Sequence, residues 1–523
     1  MSVERLTAAE ALQHVADRAS FEPWGGSMAP RDGHLPDFVA SPEMSPAAGA
    51  ESTAGMRVGM PDEPDGPAHP AAPEAVVTGA VRVGGIPAAV IAWEFGHLGG
   101  SVGVGTAARI VAAIRRATAQ GLPLLALPRS GGTRMQEGAP AFVQMVAITG
   151  ALMEHRAAGL PFLVHQCDPT TGGVLATLGS AGDVTSAEPG AMVGFLGPRA
   201  FRAITGQGFP EGVQTAENLL AHGIVDAVVP WSELAARWRT LLGLWRDRPA
   251  RRVPAQGSAD PPVRAPVRSV PGAPESADQL WSYVQASRAR DRPDAQQLVA
   301  GHMTDVVRLP GSTAGDRADG ALVLLGRLEG LPVVLAATED RWSGEPLTVG
   351  GLRTMRRGIA LAERWGLPVV MVVDTLGAQL SVEGEQSGIA GEISRLMSDL
   401  VATRSPSTAL LLGAGTGGAA LAMLACDRIV AGSHAWVSPL APEGAAAIRH
   451  SGTHDPAQIA WEQRIGAHAL AGLGFVDVIV RESEADWLAT AANRVVSELT
   501  SVLRGEDPRR RVERFESWGG ARD

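Results

Sequence analysis

The chain has 523 residues, enough for two to four domains that each bury a full core. Its 45 basic residues against 55 acidic ones leave a net charge of −10, which gives no support for a nucleic-acid partner. All the basic residues are arginine. The absence of lysine excludes a P-loop lysine, a pyridoxal-phosphate Schiff base and a biotinyl-lysine on this chain, while arginine keeps anionic substrates open to it.

A helix over residues 8–18 opens the chain, so 1–26 reads as an N-terminal helical segment. Residues 27–83, rich in Pro, Gly, Ala and acid without periodicity, read as a long mobile or lid-like segment. A strand over 86–93 follows, and a helix over 107–119 with apolar residues at helical spacing. Then come a strand over 122–127, a glycine bend, a helix near 142–156, a strand over 161–166 and a helix opened by Gly172-Gly173. Short strands at 183–187 and 192–195, a helix over 214–222 and a strand over 225–229 complete a domain of residues 84–247. Residues 248–274, with Pro, Arg, Ser and Gly and no periodic face, read as a linker.

The domain 275–523 repeats that order. Strands over 321–325 and 332–337, a helix over 353–364, a strand over 368–374 and a helix over 388–403 are followed by a strand over 408–412. A helix opened by Gly417-Gly418, a strand over 427–430 and a helix over 485–504 close it. Alternation of strand and helix predicts an α/β fold of stacked ββα units, present twice. The spacing supports the duplication. Gly121-Leu-Pro123 and Gly366-Leu-Pro368 each precede a buried apolar run and a glycine bend, and Gly132 to Gly173 and Gly377 to Gly418 both span 41 residues. Gly223–Asp226 then matches Gly474–Asp477.

Two cysteines, Cys167 and Cys426, are too few for a zinc ribbon and read as buried thiols, so no metal is expected. No basic-then-apolar leader is seen, and no apolar run approaches the ~20 residues needed to span a bilayer. A cytoplasmic protein without membrane contact is expected.

The chemistry that such paired glycine turns suggest is anion stabilisation by backbone N–H groups, one from the bend and one from the helix start. In the N-terminal half, Ser130–Gly138, Asp168–Val174, Ala187–Pro189, Gly197–Arg199 and Gln214–Leu219 resemble the β subunit of bacterial acetyl-CoA carboxylase carboxyltransferase. In the C-terminal half, Gly350–Arg353, Asp374–Ala378, Gly384–Ser387, Gly413–Leu421 and Pro442–Gly444 resemble the α subunit. The chain is thus similar to a β–α fusion in the crotonase-type carboxyltransferase superfamily. It departs from that pattern in lacking the four-cysteine zinc ribbon, in having Leu376 where the α-type bend has proline, and in the stretch Gly413–Gly418.

The resemblance implies transfer of CO2 from carboxybiotin, held by a separate biotin carboxyl carrier protein and made by a biotin carboxylase, to the α-carbon of an acyl-CoA. Acetyl-CoA or propionyl-CoA would give malonyl-CoA-type products. It implies that Gly131, Gly132, Gly172 and Gly173 form an oxyanion hole for the thioester, and that Gly377, Ala378, Gly417 and Gly418 hold the biotin ureido oxygen. Gly415, Thr416, Glu443 and Gly444 would contact biotin. A homo-oligomer is implied, its sites lying between the N-half and C-half of partner chains. Two other readings stay open: a biotin-independent malonyl-thioester decarboxylase and a non-catalytic paralogue.

Other residues carry competing readings. Arg134 and Arg199 either contact CoA phosphates or hold loops by ion pairs. Glu137 and Glu188 fit capping or pairing, His165 a satisfied core histidine, and Trp281, Trp342 and Trp436 packing. His302, His434 and His450 lack metal-ligand spacing. Glu383 and Glu385 lie either near a biotin site or in a solvated loop.

Overall fold

The computed structural model describes residues 5–24, 74–247, 272–339, 344–449, 455–483, 486–505 and 515. Two sheets of one design organise it. In the N-lobe, β1 (Glu22–Pro23), β2 (Val76–Val83), β3 (Ile86–Trp93), β4 (Leu124–Leu127), β5 (Phe162–Gln166), β7 (Val184–Ala187) and β9 (Ala227–Val228) lie side by side in that order. The β1, β2 and β3 neighbours are antiparallel and those from β3 to β9 are parallel. A small parallel pair, β6 (Thr170–Thr171) and β8 (Val193–Gly194), stands apart.

The C-lobe repeats this arrangement. Its order is β10 (Met303–Arg308), β11 (Ala321–Leu328), β12 (Leu331–Thr338), β13 (Val369–Thr375), β14 (Ser407–Thr416), β15 (Arg428–Gly432) and β17 (Val478–Val480), with β16 (Trp436–Ser438) paired to the end of β14. The antiparallel β11–β12 hairpin and the parallel run from β12 to β17 mirror β2 to β9. The α/β expectation of a repeated ββα domain therefore holds.

Local sequence explains the shared path. Helices Val104–Ala119 and Val349–Trp365 both end at the Gly-Leu-Pro turns, where Gly121 and Gly366 take positive φ of 63° and 68°. The leucine N–H then reaches back to Ala117 O and Ala362 O, both at 2.9 Å, a Schellman-type stop that turns the chain into the next strand. The parallel strands are apolar on both faces. One face of the N-lobe sheet packs Val90 and Leu125 against Leu12 and Trp238 of helices Ala8–Val15 and Trp231–Arg246, and the other buries Ile91 and Phe162. In the C-lobe, Leu335 and Val372 meet Leu298 and Leu499, from helices Ala295–His302 and Trp487–Gly505, on the outer face.

Helices Ala139–Ala157 and Ile389–Ala402 occupy corresponding places and pack on each other. Every residue from Ala141 to Leu152 is buried, as suits a helix enclosed on all sides. Thr149 Oγ1 contacts Met397 Sδ at 3.2 Å, and Ser394 Oγ donates to Thr177 O at 2.9 Å. One continuous apolar cluster spans both lobes. The lobes that meet here belong to a single chain.

Part of the segment expected to be mobile is regular: Val76–Val83 is strand β2, held in register with β3 along its whole length. Residues 27–73 lie outside the described residues, as do 248–271 of the expected linker. Strand β10 and helices Trp231–Arg246, Ala277–Ala286 and Ala295–His302 are additional to the sequence expectation. No described helix is long and apolar enough to cross a membrane.

Candidate active site

Each lobe builds a glycine cradle by the same local chemistry. Ser130 Oγ accepts the Gly132 N–H at 3.0 Å, and Thr375 Oγ1 accepts the Gly377 N–H at 3.0 Å. These hydroxyl-capped turns place Gly132 at φ 110° and Gly377 at φ 128°, where a side chain is strained. Across from each bend a Gly-Gly pair opens a helix, with Gly172 and Gly417 at φ 62° and 76°. The approach is close: a Cβ on Gly132 would lie 3.3 Å from Gly172 Cα, and one on Gly173 only 2.5 Å from Thr133 Oγ1.

The hydrogen bonds decide which amides are available. Gly131 N–H donates to Gly99 O at 2.9 Å, Gly132 N–H to the Ser130 hydroxyl, and Gly172 N–H to Phe195 O at 3.2 Å. Gly377 N–H is taken by Thr375. The next amides along, Thr133 and Gly173 in the N-lobe and Ala378 and Gly418 in the C-lobe, donate to no acceptor among the described residues. Each cradle thus presents one bend N–H and one helix-start N–H, the arrangement that suits a developing oxyanion. The expected donors shift by one residue at the bends: Thr133 replaces Gly131 and Gly132, and Ala378 serves where Gly377 does not. Thr133 was not expected from the sequence, although the Ser130 and Thr375 hydroxyls two residues before each bend glycine carry the signal.

Three of the four expected biotin contacts are interior. Gly415 and Thr416 end the wholly buried strand β14, where a Cβ on Gly415 would sit 3.1 Å from Trp436 O; Gly444 is buried in helix Pro442–Arg449. Glu443 is exposed but ion-paired with Arg288. None of the four offers an accessible, unpaired group. At the cradle itself, a Cβ on Gly377 would find only Thr416 O at 3.9 Å, and one on Gly417 only Pro439 O at 4.0 Å, so this mouth is open.

The cradles meet at the lobe boundary. A Cβ on Gly418 would lie 3.7 Å from the Phe195 ring and 3.8 Å from Ala176 Cβ, both in the N-lobe. Phe195 N–H donates to both carboxylate oxygens of Glu385, at 2.8 and 3.0 Å, and Gln214 Nε2 adds a third bond at 2.8 Å. Burial pushes the Glu385 carboxyl above its ordinary range, opposed by these donors and by Leu196 N–H. Glu385 is therefore an interlobe ligand rather than a loop acid, whereas Glu383 is exposed. Contacts on the far side of the boundary are Ala139 N–H to Gln463 O at 3.1 Å and Gln463 Nε2 to Met135 O at 3.0 Å.

Residues 62–470 match the family described as carboxyl transferase domain. The chain is 41% identical over 532 residues to the probable biotin-dependent acyl-coenzyme A carboxylase beta3 subunit of Mycobacterium tuberculosis and of Mycobacterium bovis, covering 100% of both chains. This chain belongs to the carboxyltransferase family of biotin-dependent acyl-CoA carboxylases. It is also 36% identical over 426 residues to the acetyl-coenzyme A carboxylase carboxyl transferase subunits beta/alpha of Salinispora arenicola, covering 78% of this chain and 73% of that one. Among solved structures it is similar to transcarboxylase 12S, at 19% identity and a TM-score of 0.37 over 96% of this chain and 91% of that one.

Several charged residues of this carboxyltransferase hold the scaffold. Arg134 is buried; Nη1 donates to Glu137 at 2.8 Å, and Nη2 to Ser101 O at 3.0 Å, Thr106 Oγ1 at 3.1 Å and Glu74 at 3.3 Å. A guanidinium so engaged is not free to reach CoA phosphates. Arg199 is the second residue of the helix Pro198–Thr205, and its side chain lies outside the described residues. Glu137 caps helix Val104–Ala119 by accepting Val104 N–H at 2.6 Å, and Glu188 is buried against Arg129 at 3.2 Å. His165 is a core histidine: Nδ1 meets Ser186 Oγ at 3.0 Å, and burial, with Arg129 nearby, lowers its pKa to about 3. Cys167 and Cys426 are buried free thiols, and burial raises the Cys167 pKa to about 12. Trp436 is buried and donates to Ser287 Oγ at 3.0 Å, and Trp281 packs beside it; Trp342 and His450 lie outside the described residues. No group of three or more His, Cys, Asp or Glu able to hold a metal is found among the described residues.

A cleft of about 670 Å³ lies away from the cradles along helix Val349–Trp365. Its arginines are already engaged, Arg353 with Asp316 and Glu392, Arg356 with Glu392 and Asp399, and Arg357 with Gly311 O.

Proposed function

We propose that this chain is the carboxyltransferase component of an acetyl-CoA or propionyl-CoA carboxylase, moving CO2 from carboxybiotin on a carrier protein to the α-carbon of the acyl-CoA. The observation that carries this reading is the matched pair of amide cradles, Thr133 with Gly173 in one lobe and Ala378 with Gly418 in the other, each presenting N–H groups with no acceptor among the described residues. In it, residues 84–247 form the acyl-CoA domain and 275–523 the biotin domain.

Carboxybiotin, when bound, supplies the CO2 and, after losing it, the base for the α-proton. The C-lobe residues fit that group: two unpaired N–H donors face a mouth that neither Gly377 nor Gly417 fills. The amides of Ala378 and Gly418 would hold the ureido oxygen and favour negative charge on it. The amides of Thr133 and Gly173 would hold the thioester oxygen and stabilise the enolate relative to the neutral thioester, lowering the barrier to proton loss at the α-carbon. Both charges are met by preformed backbone dipoles, and no side-chain base is needed.

With no lysine, the chain cannot carry biotin itself, so a biotinylated carrier and a biotin carboxylase act with it. A homo-oligomer in the cytoplasm accompanies this reading. Incubation of the purified chain with malonyl-CoA, with and without free biotin, tests it. Biotin-dependent loss of malonyl-CoA is expected. Loss independent of biotin would replace this reading with a simple decarboxylase, and no loss in either arm, with none on adding a biotinylated carrier, would leave a non-catalytic subunit. Rates with acetyl-, propionyl- and butyryl-CoA then fix the acyl preference.

A further inference from the structure

Phe195 touches both cradles at once. Its N–H is held by Glu385 of the C-lobe, its C=O accepts the Gly172 N–H of the N-lobe cradle, and its ring edge packs where Gly418 opens the C-lobe cradle. Glu385 is buried, and its donors, Phe195 N–H, Leu196 N–H and Gln214 Nε2, are all neutral. Such a carboxylate is costly to bury, and its hydrogen bonds to N–H groups are roughly twice as strong as neutral ones.

The internal repeat offers no counterpart of this contact. Glu385 lies eight residues after Gly377, and the residue eight after Gly132 is Pro140. The strand pairs Thr171–Gly194 and Thr416–Ser438 put Phe195 and Pro439 at the same place. Pro140 and Pro439 thus hold the mirror positions, and they supply neither a carboxylate nor an N–H; neutral hydrogen bonds through Gln463 join the lobes on that side.

We propose that Glu385 is a positioning residue that acts through Phe195: it fixes the Phe195 peptide that orients Gly172, and with it the Gly173 N–H. This rests on the carboxyltransferase reading for its kinetic consequence, and on the geometry alone for its structural one.

The full chain is compared with Glu385→Gln and Phe195→Leu by hydrogen exchange and by steady-state loss of malonyl-CoA with free biotin. Glutamine keeps the size but puts an NH2 group in place of one of the two carboxylate oxygens that accept from Phe195 N–H. In Glu385→Gln, exchange of amides 172–176 and 195–196 is expected to rise about 10-fold or more while the rest of the N-lobe stays within about 2-fold. Its kcat should fall about 10- to 100-fold, with the acyl-CoA KM moving less than about 3-fold. Phe195→Leu keeps both backbone groups, so its local exchange should match the unmodified chain. Unchanged local exchange in Glu385→Gln overturns the proposal. So does uniform acceleration across both lobes, or a lower melting temperature with kcat per folded molecule unchanged, since those are the marks of an adhesive contact. If the unmodified chain shows no biotin-dependent activity, the carboxyltransferase reading fails, and local exchange alone decides the Glu385 link.

Discussion

Gly132 and Gly377 are one structural position built twice: both hold a positive φ, and both give their N–H to a hydroxyl two residues earlier, Ser130 in one lobe and Thr375 in the other. Their surroundings differ. A Cβ on Gly132 would press on Gly172 Cα at 3.3 Å, whereas one on Gly377 would meet only Thr416 O at 3.9 Å. Gly132→Ala should therefore lose about 2–4 kcal/mol from backbone strain plus contact, and Gly377→Ala about 1–2 kcal/mol from strain alone. Urea unfolding of the two variants measures the difference. Equal losses would mean that the N-lobe bend relaxes freely.

Arg134 offers a test between scaffold and phosphate binding. Arg134→Met leaves Glu74 and Glu137 without their cation, and because those acids are partly exposed the loss is expected at about 2–3 kcal/mol. The KM for acyl-CoA in the folded fraction should stay within about 2-fold. A raised KM with an unchanged melting temperature would restore the phosphate role.

His165 sets an acid limit on stability. Its folded pKa of about 3 lies below the unfolded value of 6.5, so between those values the unfolded chain binds more protons. Stability is therefore intact above pH 6.5 and falls as pH drops below it, by about 1.4 kcal/mol per unit while the folded imidazole stays neutral. His155, also lowered by burial, adds in the same direction. Urea midpoints at pH 7.5, 6 and 5 should decline more steeply in the unmodified chain than in His165→Gln. Parallel declines would show that the ring is solvated.

Leu376 tests which lobe takes biotin. Its side chain is 54% exposed beside Gly377, at the place that Gly131 holds in the N-lobe. Leu376→Gly should change stability by no more than about 0.5 kcal/mol. It is expected to raise the KM for biotin several-fold and leave that for acyl-CoA unchanged. The reverse pattern would exchange the two lobe assignments.

The repeat and its glycines were legible in the sequence because positive φ and close backbone approach restrict those positions to glycine. The identity of the free amides was not. It depends on Ser130 and Thr375 capturing the bend N–H groups, which moves the free donors to Thr133 and Ala378. Glu385, Phe195 and Gln214 meet across 171 and 190 residues of chain, so no local pattern announces them. Arg134 sits in a motif that resembles a substrate-binding one, yet only packing reveals that its donors are used up by Glu74, Ser101, Thr106 and Glu137. Strand β2 was hidden by the Pro- and Gly-rich stretch before it, whose composition masks the short apolar run Val76–Val83.

The one-sided contact across the lobe boundary also governs which halves can associate. Two N-terminal lobes docked in this geometry would set Pro140 against Phe195 and strand two buried N–H groups, while two C-terminal lobes would trap Glu385 carboxylates against Pro439 with no donor. At about 1–3 kcal/mol for each stranded group, and more for the charges, like-with-like association is disfavoured and only unlike halves complete each other. Duplication has in this way left two halves whose facing surfaces suit each other better than themselves.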